Sequence, residues 1–142
     1  MIFITKPQMN TDKHRFVQRD ELDRYNPITE KIIGCAYTVS NVLGSGFLEK
    51  VYENALAHEL IQAGLKVQQQ VPIQFHYDGL VVGYYLADLL VEECVLVELK
   101  AIQGLEDVHK AQCINYLKAT GLRLCILLNF GTMRVEIKRI AL

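Results

Sequence analysis

The sequence predicts a single α/β domain with a mixed β-sheet flanked by helices. Three observations carry that expectation. Two helix-period segments precede strand-like runs around the turn dipeptide Asp78-Gly79, a third helical segment follows Gly104, and "LRLCILLNF" is a nearly continuous apolar run suited to a strand buried on both faces. The order, two helices, three strands in a meander, a crossover helix and two further strands, describes one layered core. At 142 residues one domain is the simplest organisation.

Residues 1 to about 24 read as an irregular or loosely helical lead-in, and residues 25–142 as the domain. The first helix starts at Asn26-Pro27, an N-cap followed by proline at the first helical position, and runs through Ile32, Cys35, Ala36, Val39 and Leu43 to Gly44. "LGSGF" breaks the chain before a second helix from about Phe47 to Ala63, closed by Gly64. "LKVQQQVPIQFHY" and "LVVGYYLADLLV" are strands joined at Asp78-Gly79, where both residues tolerate positive φ. "CVLVELKA" follows through Glu92 and Glu93. The third helix spans about Leu105 to Ala119 before Gly121, and the alternating "MRVEIKRI" supplies the last strand.

Fifteen basic against sixteen acidic residues give a net charge of −1, which excludes a global basic field for nucleic acid; phosphate contacts must come from a local patch or a bound cation. Cys35, Cys94, Cys113 and Cys125 are scattered among apolar neighbours with no CxxC pair, which favours reduced, buried thiols over disulfides or zinc. The N-terminal stretch lacks the apolar core of a signal peptide, and no apolar run approaches the ~18 residues of a membrane span. A cytoplasmic protein without membrane contact is expected.

Three charges interrupt the strands. Glu98 and Lys100 are two apart, so both leave one face of their strand while Val95, Val97 and Leu99 leave the other. Asp88 lies on the preceding strand. It opposes Glu98 only if the connection has an odd length, such as Glu92 to Cys94; a two-residue turn at Glu92-Glu93 would put it on the other face. Convergence would create an oxygen-rich site for Mg²⁺ or Mn²⁺, with Lys100 placed to stabilise phosphate charge or orient a water. The ordinary alternative is a cross-strand ion pair of Asp88 or Glu98 with Lys100 on a solvated edge.

On a wheel of the second helix, Leu48, Val51, Tyr52, Ala55, Leu56 and Leu60 form an apolar arc, with Glu49 inside its margin and Glu53 at its edge. Lys50, Asn54, Ala57 and His58 fall on the solvent side, whereas Glu59 lies nearer the centre of the arc. On the third helix Leu105, Val108, Gln112, Tyr116 and Ala119 share a face, so Gln112 and Tyr116 are expected to point toward the sheet. There they serve a site or simply cap core polar groups. Of the four histidines, only His109 falls near them.

These pieces resemble the PD-(D/E)XK nuclease superfamily, and within it the GxxExxY family of the RecB-like branch. The naming motif stands as Gly46-Phe47-Leu48-Glu49-Lys50-Val51-Tyr52, the nuclease core as Asp88 with Glu98-Leu99-Lys100, and the QxxxY element as Gln112 to Tyr116. The resemblance covers about residues 26 to 140. It implies a restriction-endonuclease-like αβββαβ core. It also implies Mg²⁺ or Mn²⁺ on Asp88, Glu98 and Glu49, with Glu53 as the other helix carboxylate, Lys100 assisting the attacking water, and Tyr52, Gln112 and Tyr116 in support or toward substrate. The proline of the superfamily name is replaced, since Leu86-Ala87 precedes Asp88, and the scattered cysteines imply no iron-sulfur cluster.

The function expected is metal-dependent hydrolysis of phosphodiester bonds in DNA, with RNA as the second substrate. Lys66, Lys110, Lys118, Arg123, Arg134, Lys138 and Arg139 are candidate phosphate contacts, each also explicable as a solvated charge. The alternative is a noncatalytic nucleic-acid- or protein-binding regulatory protein on the same scaffold, assembled as a homodimer.

Overall fold

A computed structural model describes residues 21–142, so most of the expected lead-in lies outside the described residues. Of its end, Leu22 packs against the core and Tyr25 is buried in it. Helix α1 (Asn26–Leu43) carries Pro27 in its first turn and buries Thr29, Ile32, Ala36, Val39 and Ser40 at helical spacing. It stops at Gly44, whose φ of 66° suits a residue without Cβ. Helix α2 (Glu49–Gln62) follows, then strands β1 (Val67–Tyr77), β2 (Leu80–Val91) and β3 (Val95–Lys100), helix α3 (Asp107–Thr120), and strands β4 (Leu124–Asn129) and β5 (Glu136–Ala141).

The sheet order is β1-β2-β3-β4-β5, with β3 and β4 parallel and every other pair antiparallel. A parallel pair needs a crossover, which α3 provides. The β1–β2 hairpin turns at Asp78-Gly79 with φ of 50° and 75°, as the dipeptide suggests. Helices α1 and α2 cover one side of the sheet, packing Ile32, Ala36, Leu56 and Leu60 against Val95, Val97, Leu99, Ile126 and Leu128. Helix α3 covers the other, packing Cys113, Tyr116, Leu117 and Ala119 against Leu96, Cys125, Leu127 and Ile140. Every residue of β4 is buried, and each fully buried Leu or Ile there contributes about 1.5–3 kcal/mol.

Both helix wheels need correction. Helix α2 buries Tyr52, Glu53, Leu56, Ala57 and Leu60, while Leu48 and Val51 are exposed. Its inward face is therefore rotated toward Glu53 and Ala57. Helix α3 turns inward on Cys113, Tyr116 and Leu117, leaving Val108 and Gln112 exposed. The buried cysteine is part of the apolar stripe, and counting Gln112 in its place turned the expected face away from the sheet.

Strand alternation also reverses within the hairpin. Val67, Leu89 and Val91 pack toward α1 and α2, whereas Val71, Ile73, Phe75, Tyr85 and Ala87 pack toward α3. All are odd-numbered, so a regular strand would keep them on one face. The switch falls at Gln70, whose φ is 56°, and at Asp88 across from it, between the pairs Gln69↔Leu89 and Val71↔Ala87. Beyond the switch, Leu80, Val82, Tyr84 and Leu86 form an exposed apolar row.

Candidate active site

The connection from β2 to β3 is Glu92, Glu93 and Cys94, an odd length, with φ of 52° and 59° at the two glutamates. Pairing runs Val91↔Val95, Leu90↔Leu96 and Leu89↔Val97, and the next step places Asp88 beside Glu98. There the backbone ladder ends and the carboxylates replace it. The Asp88 N–H donates to Glu98 Oε1 at 3.0 Å, and the Leu99 N–H donates to Asp88 Oδ2 at 2.8 Å. Each acid thus satisfies an amide that would otherwise be orphaned at the fork, and one oxygen of each is left for other partners.

Both carboxylates are nearly inaccessible, Asp88 at 9% and Glu98 at 2% exposure. Burial, and then the Asp88 charge, push Glu98 up to about 9, against the opposing pull of the Asp88 N–H and Lys100. Burial likewise raises Asp88, and the Glu53 charge adds to it, while the Leu99 N–H, Lys100 and Gln70 act the other way. Glu49, in the first turn of α2, is raised by partial burial and by Asp88, with Lys100 offsetting. These acids share one half-buried cation, Lys100, and are short of positive charge.

The donor set fits a divalent ion of the magnesium class. Among the described residues no group of three or more His, Cys, Asp or Glu side chains is gathered to hold a metal unaided. Mg²⁺ does not need one, because it is commonly held by one or two carboxylates with its remaining positions filled by waters and substrate phosphate. Asp88 and Glu98 would be such a pair, and a bound cation would relieve the repulsion that adds to burial in raising Glu98.

A family profile described as the PD-(D/E)XK nuclease superfamily matches residues 26–140. This chain belongs to that superfamily. No curated protein matches it significantly. Among solved structures it is similar to SSO0001, with a TM-score of 0.50 and 21% identity over 83% of this chain and 59% of that one. It thus spans 59% of the length of that protein, and the likeness is one of fold. It also matches an alkaline exonuclease (LHK-Exo) from Laribacter hongkongensis at a TM-score of 0.42 and 13% identity, covering 94% of this chain and 72% of that one.

Within this PD-(D/E)XK domain the two helix acids separate clearly. Glu53 is the buried one, at 3% exposure, and it is fully engaged: Lys50 Nζ lies 2.9 Å from Oε2, Gln69 Nε2 2.6 Å from Oε2, and Gln70 Nε2 2.6 Å from Oε1. Glu49 is exposed rather than on a buried shoulder, and its carboxylate interacts with Asp88 and Lys100. Glu49 thus faces Asp88 and Lys100, and Glu53 braces α2 against β1.

Tyr52 is fully buried. Its hydroxyl donates to Gly44 O at 2.6 Å and accepts the Phe47 N–H at 3.2 Å, and its ring stacks on Phe130 at 4.7 Å. It closes the loop that delivers Glu49, and Gly46 in that loop has a φ of 108°. Tyr116 stacks on Tyr85 at 4.4 Å, and the Tyr85 hydroxyl donates to Glu98 Oε2 at 3.4 Å. Burial together with the Glu98 charge pushes Tyr85 up to about 12. Gln112 is exposed on α3 and takes no part in this chain. His109 accepts the Glu106 N–H at 2.9 Å through Nδ1 and completes the α3 capping box, which is a structural duty.

Sequence reasoning passed over Gln69, Gln70, Tyr85 and Asn129. The polar run "QQQ" inside a strand was a usable signal for the first two. Asn129, fully buried, receives the Ile102 and Gly131 N–H groups at 3.0 Å each and donates to Ile102 O and Glu136 Oε1 at 3.1 and 2.7 Å. It pairs in register with Lys100 and fixes the chain that leaves it. Gly131 lies so close to that chain that an added Cβ would stand 2.1 Å from Ile102 O.

Proposed function

We propose that the protein is a metal-dependent nuclease that hydrolyses phosphodiester bonds, with DNA the first substrate to test and RNA the second. The observation that carries this reading is the fork between β2 and β3, where the buried carboxylates of Asp88 and Glu98 stand side by side beyond the last backbone pair and share the half-buried Lys100 as their counter-charge. In this reading Asp88 and Glu98 hold Mg²⁺ or Mn²⁺, and Glu49 reaches in from α2. When bound, such an ion supplies Lewis-acid stabilisation of the phosphoryl group. Lys100, at the end of β3, stands beside the same point, where it orients a water and stabilises developing negative charge. Tyr85 and Tyr116 hold the free side of Glu98 in place. The motif from Gly46 to Tyr52 supports placement in the GxxExxY family of the RecB-like branch.

The phosphate contacts narrow. Lys66, Lys118 and Arg123 lie toward the far end of the sheet, next to the start of β1 and β4. Arg123 is also tied to Glu21 and Leu142 O, and Arg139 to Asn26 and Leu22 O. Lys110, near the start of α3, and Arg134, before β5, are exposed at the Lys100 end and remain the better candidates.

The test is Mn²⁺ and Mg²⁺ binding, and cleavage of single- and double-stranded DNA and RNA, by the wild type and Asp88→Ala. Binding and cleavage that both vanish in the variant support the reading; cleavage unaffected by the substitution ends it. A noncatalytic regulatory protein is the second reading. The exposed apolar row Leu80, Val82, Tyr84 and Leu86 favours it, because contiguous apolar surface often marks a protein contact.

A further inference from the structure

Beyond the last β2–β3 pair, Leu89↔Val97, the hairpin of β1 and β2 runs on as a two-stranded ribbon over residues 71–87. One face of it is covered. Val71, Ile73, Phe75, Tyr85 and Ala87 pack toward α3, where the Phe75 and Tyr85 rings meet Tyr116 at 6.1 and 4.4 Å. On the other face the core under α1 and α2 ends at Val67 and Leu89. Tyr84 and Leu86 stand exposed there, opposite the half-buried Gln74 and Pro72. Val82 continues the row at the bulge between Phe75 and His76, and Tyr77, Leu80 and Val81 close it at the turn. These six side chains are between 40% and 70% exposed.

The chemistry of this surface narrows what covers it. Residues 71–87 include neither lysine nor arginine, and Asp78 in the turn is their one acid. Nucleic acid needs cations against its phosphates, and elements that lie on a membrane surface carry them as well. A different protein is commonly selected by complementary charge, which this face does not offer. A two-fold contact instead sets a patch against its own copy, so a charge near its centre meets its like, whereas an uncharged apolar row meets itself without repulsion. The six residues expose on the order of 500 Å² of apolar surface, at the upper end of what a monomer leaves bare. Two copies face to face would bury about 1,000 Å² in total, the threshold for a specific contact.

We propose that this row is a dimer contact, made with a second copy of the same chain about a two-fold axis that passes near Val82. The two ribbons stack as packed sheets do, each backed by its own α3. The contact goes beyond the nuclease reading, because it requires no metal at the fork. Its inner end, Leu86, is two residues from Asp88, so the second copy stands beside each fork.

The test is sedimentation equilibrium of the full-length chain from about 1 to 100 µM. A mass of twice 16.2 kDa is expected within that range, and a chain that stays at 16.2 kDa throughout overturns the proposal. Val82→Glu and Val82→Lys alter a side chain that is 63% exposed, so circular dichroism and thermal midpoints are expected to match wild type. Each variant alone is expected to associate about 100-fold more weakly, because like charges meet at the axis. Tyr84→Lys, at a second position of the row, is expected to weaken association as well. An equal mixture of Val82→Glu and Val82→Lys is expected to recover the dimer. Undiminished dimers in all three variants would put the contact elsewhere, and a mixture no stronger than its components would remove the two-fold arrangement; either result overturns the proposal. So does a monomeric wild type that binds a labelled single-stranded oligonucleotide and loses it in Tyr84→Ala, which would make the row a substrate surface.

Discussion

Strand β3 has two neighbours and meets them differently. Toward β4 the pairing is regular from Val95↔Leu124 to Lys100↔Asn129, and β4 is buried throughout. Toward β2 it ends after Leu89↔Val97, and side-chain carboxylates take over the amides. The regular edge supplies rigidity, and the opened edge carries the chemistry we propose. Charges gather where the ladder stops because only there are backbone groups and space left for side chains to serve.

Substitutions at the opened edge should abolish function while sparing the fold. Asp88→Ala and Glu98→Ala are each expected to lower cleavage by about 10²–10³-fold or more, the scale of removing a group that stabilises transition-state charge. Stability without metal should fall by no more than about 1–3 kcal/mol, because relief of the repulsion between the two acids offsets part of the cost of the buried amide each substitution leaves without a partner. Steady-state cleavage and thermal melts on the same samples check both halves.

The regular edge should behave oppositely. Ile126→Ala, in fully buried β4, is expected to cost about 2–5 kcal/mol by denaturant unfolding, with cleavage retained at low temperature where the variant remains folded. Equal losses of activity at the two edges would erase the distinction.

How far this contrast could be read in advance depended on whether alternation survives. The hairpin at Asp78-Gly79 and the order of elements follow from local turn chemistry and a period of two, whereas the odd connection through Glu92, Glu93 and Cys94 does not, because a two-residue turn at Glu92-Glu93 fits the same residues. Tyr85 does not, because it shares the Glu98 side only after the faces switch at Gln70 and Asp88. That switch depends on one positive φ at a glutamine, which no periodic pattern announces. Glu49 and Glu53 were exchanged in burial for a related reason: α2 packs through Glu53, a charge made tolerable by Lys50, Gln69 and Gln70. A wheel that ranks residues by apolarity turns such a helix the wrong way. The same bias buried Gln112 in place of Cys113.

The pH response sharpens the electrostatic side of the contrast. In the metal-free protein Glu98 is raised from 4.5 to about 9, so the folded state holds a proton that the unfolded state releases. Its contribution to stability is complete below about pH 4 and is lost as the pH rises toward 9. Thermal midpoints should therefore fall across that window, and Glu98→Gln should flatten the fall. Added Mg²⁺ should lift the midpoint at its upper end. A smaller effect is expected at Tyr52→Phe, which keeps the stack on Phe130 but loses the bonds to Gly44 and Phe47, at about 1–2 kcal/mol in denaturant unfolding.

The most direct measurement is calorimetric titration of Mn²⁺ into the wild type and Asp88→Asn at pH 8, in the absence of nucleic acid. Asparagine keeps the shape and an oxygen for the Leu99 amide while removing the charge. Saturable binding by the wild type that is lost in Asp88→Asn is the expected result. Equal binding by both, or none by the wild type, would contradict a cation site at the fork.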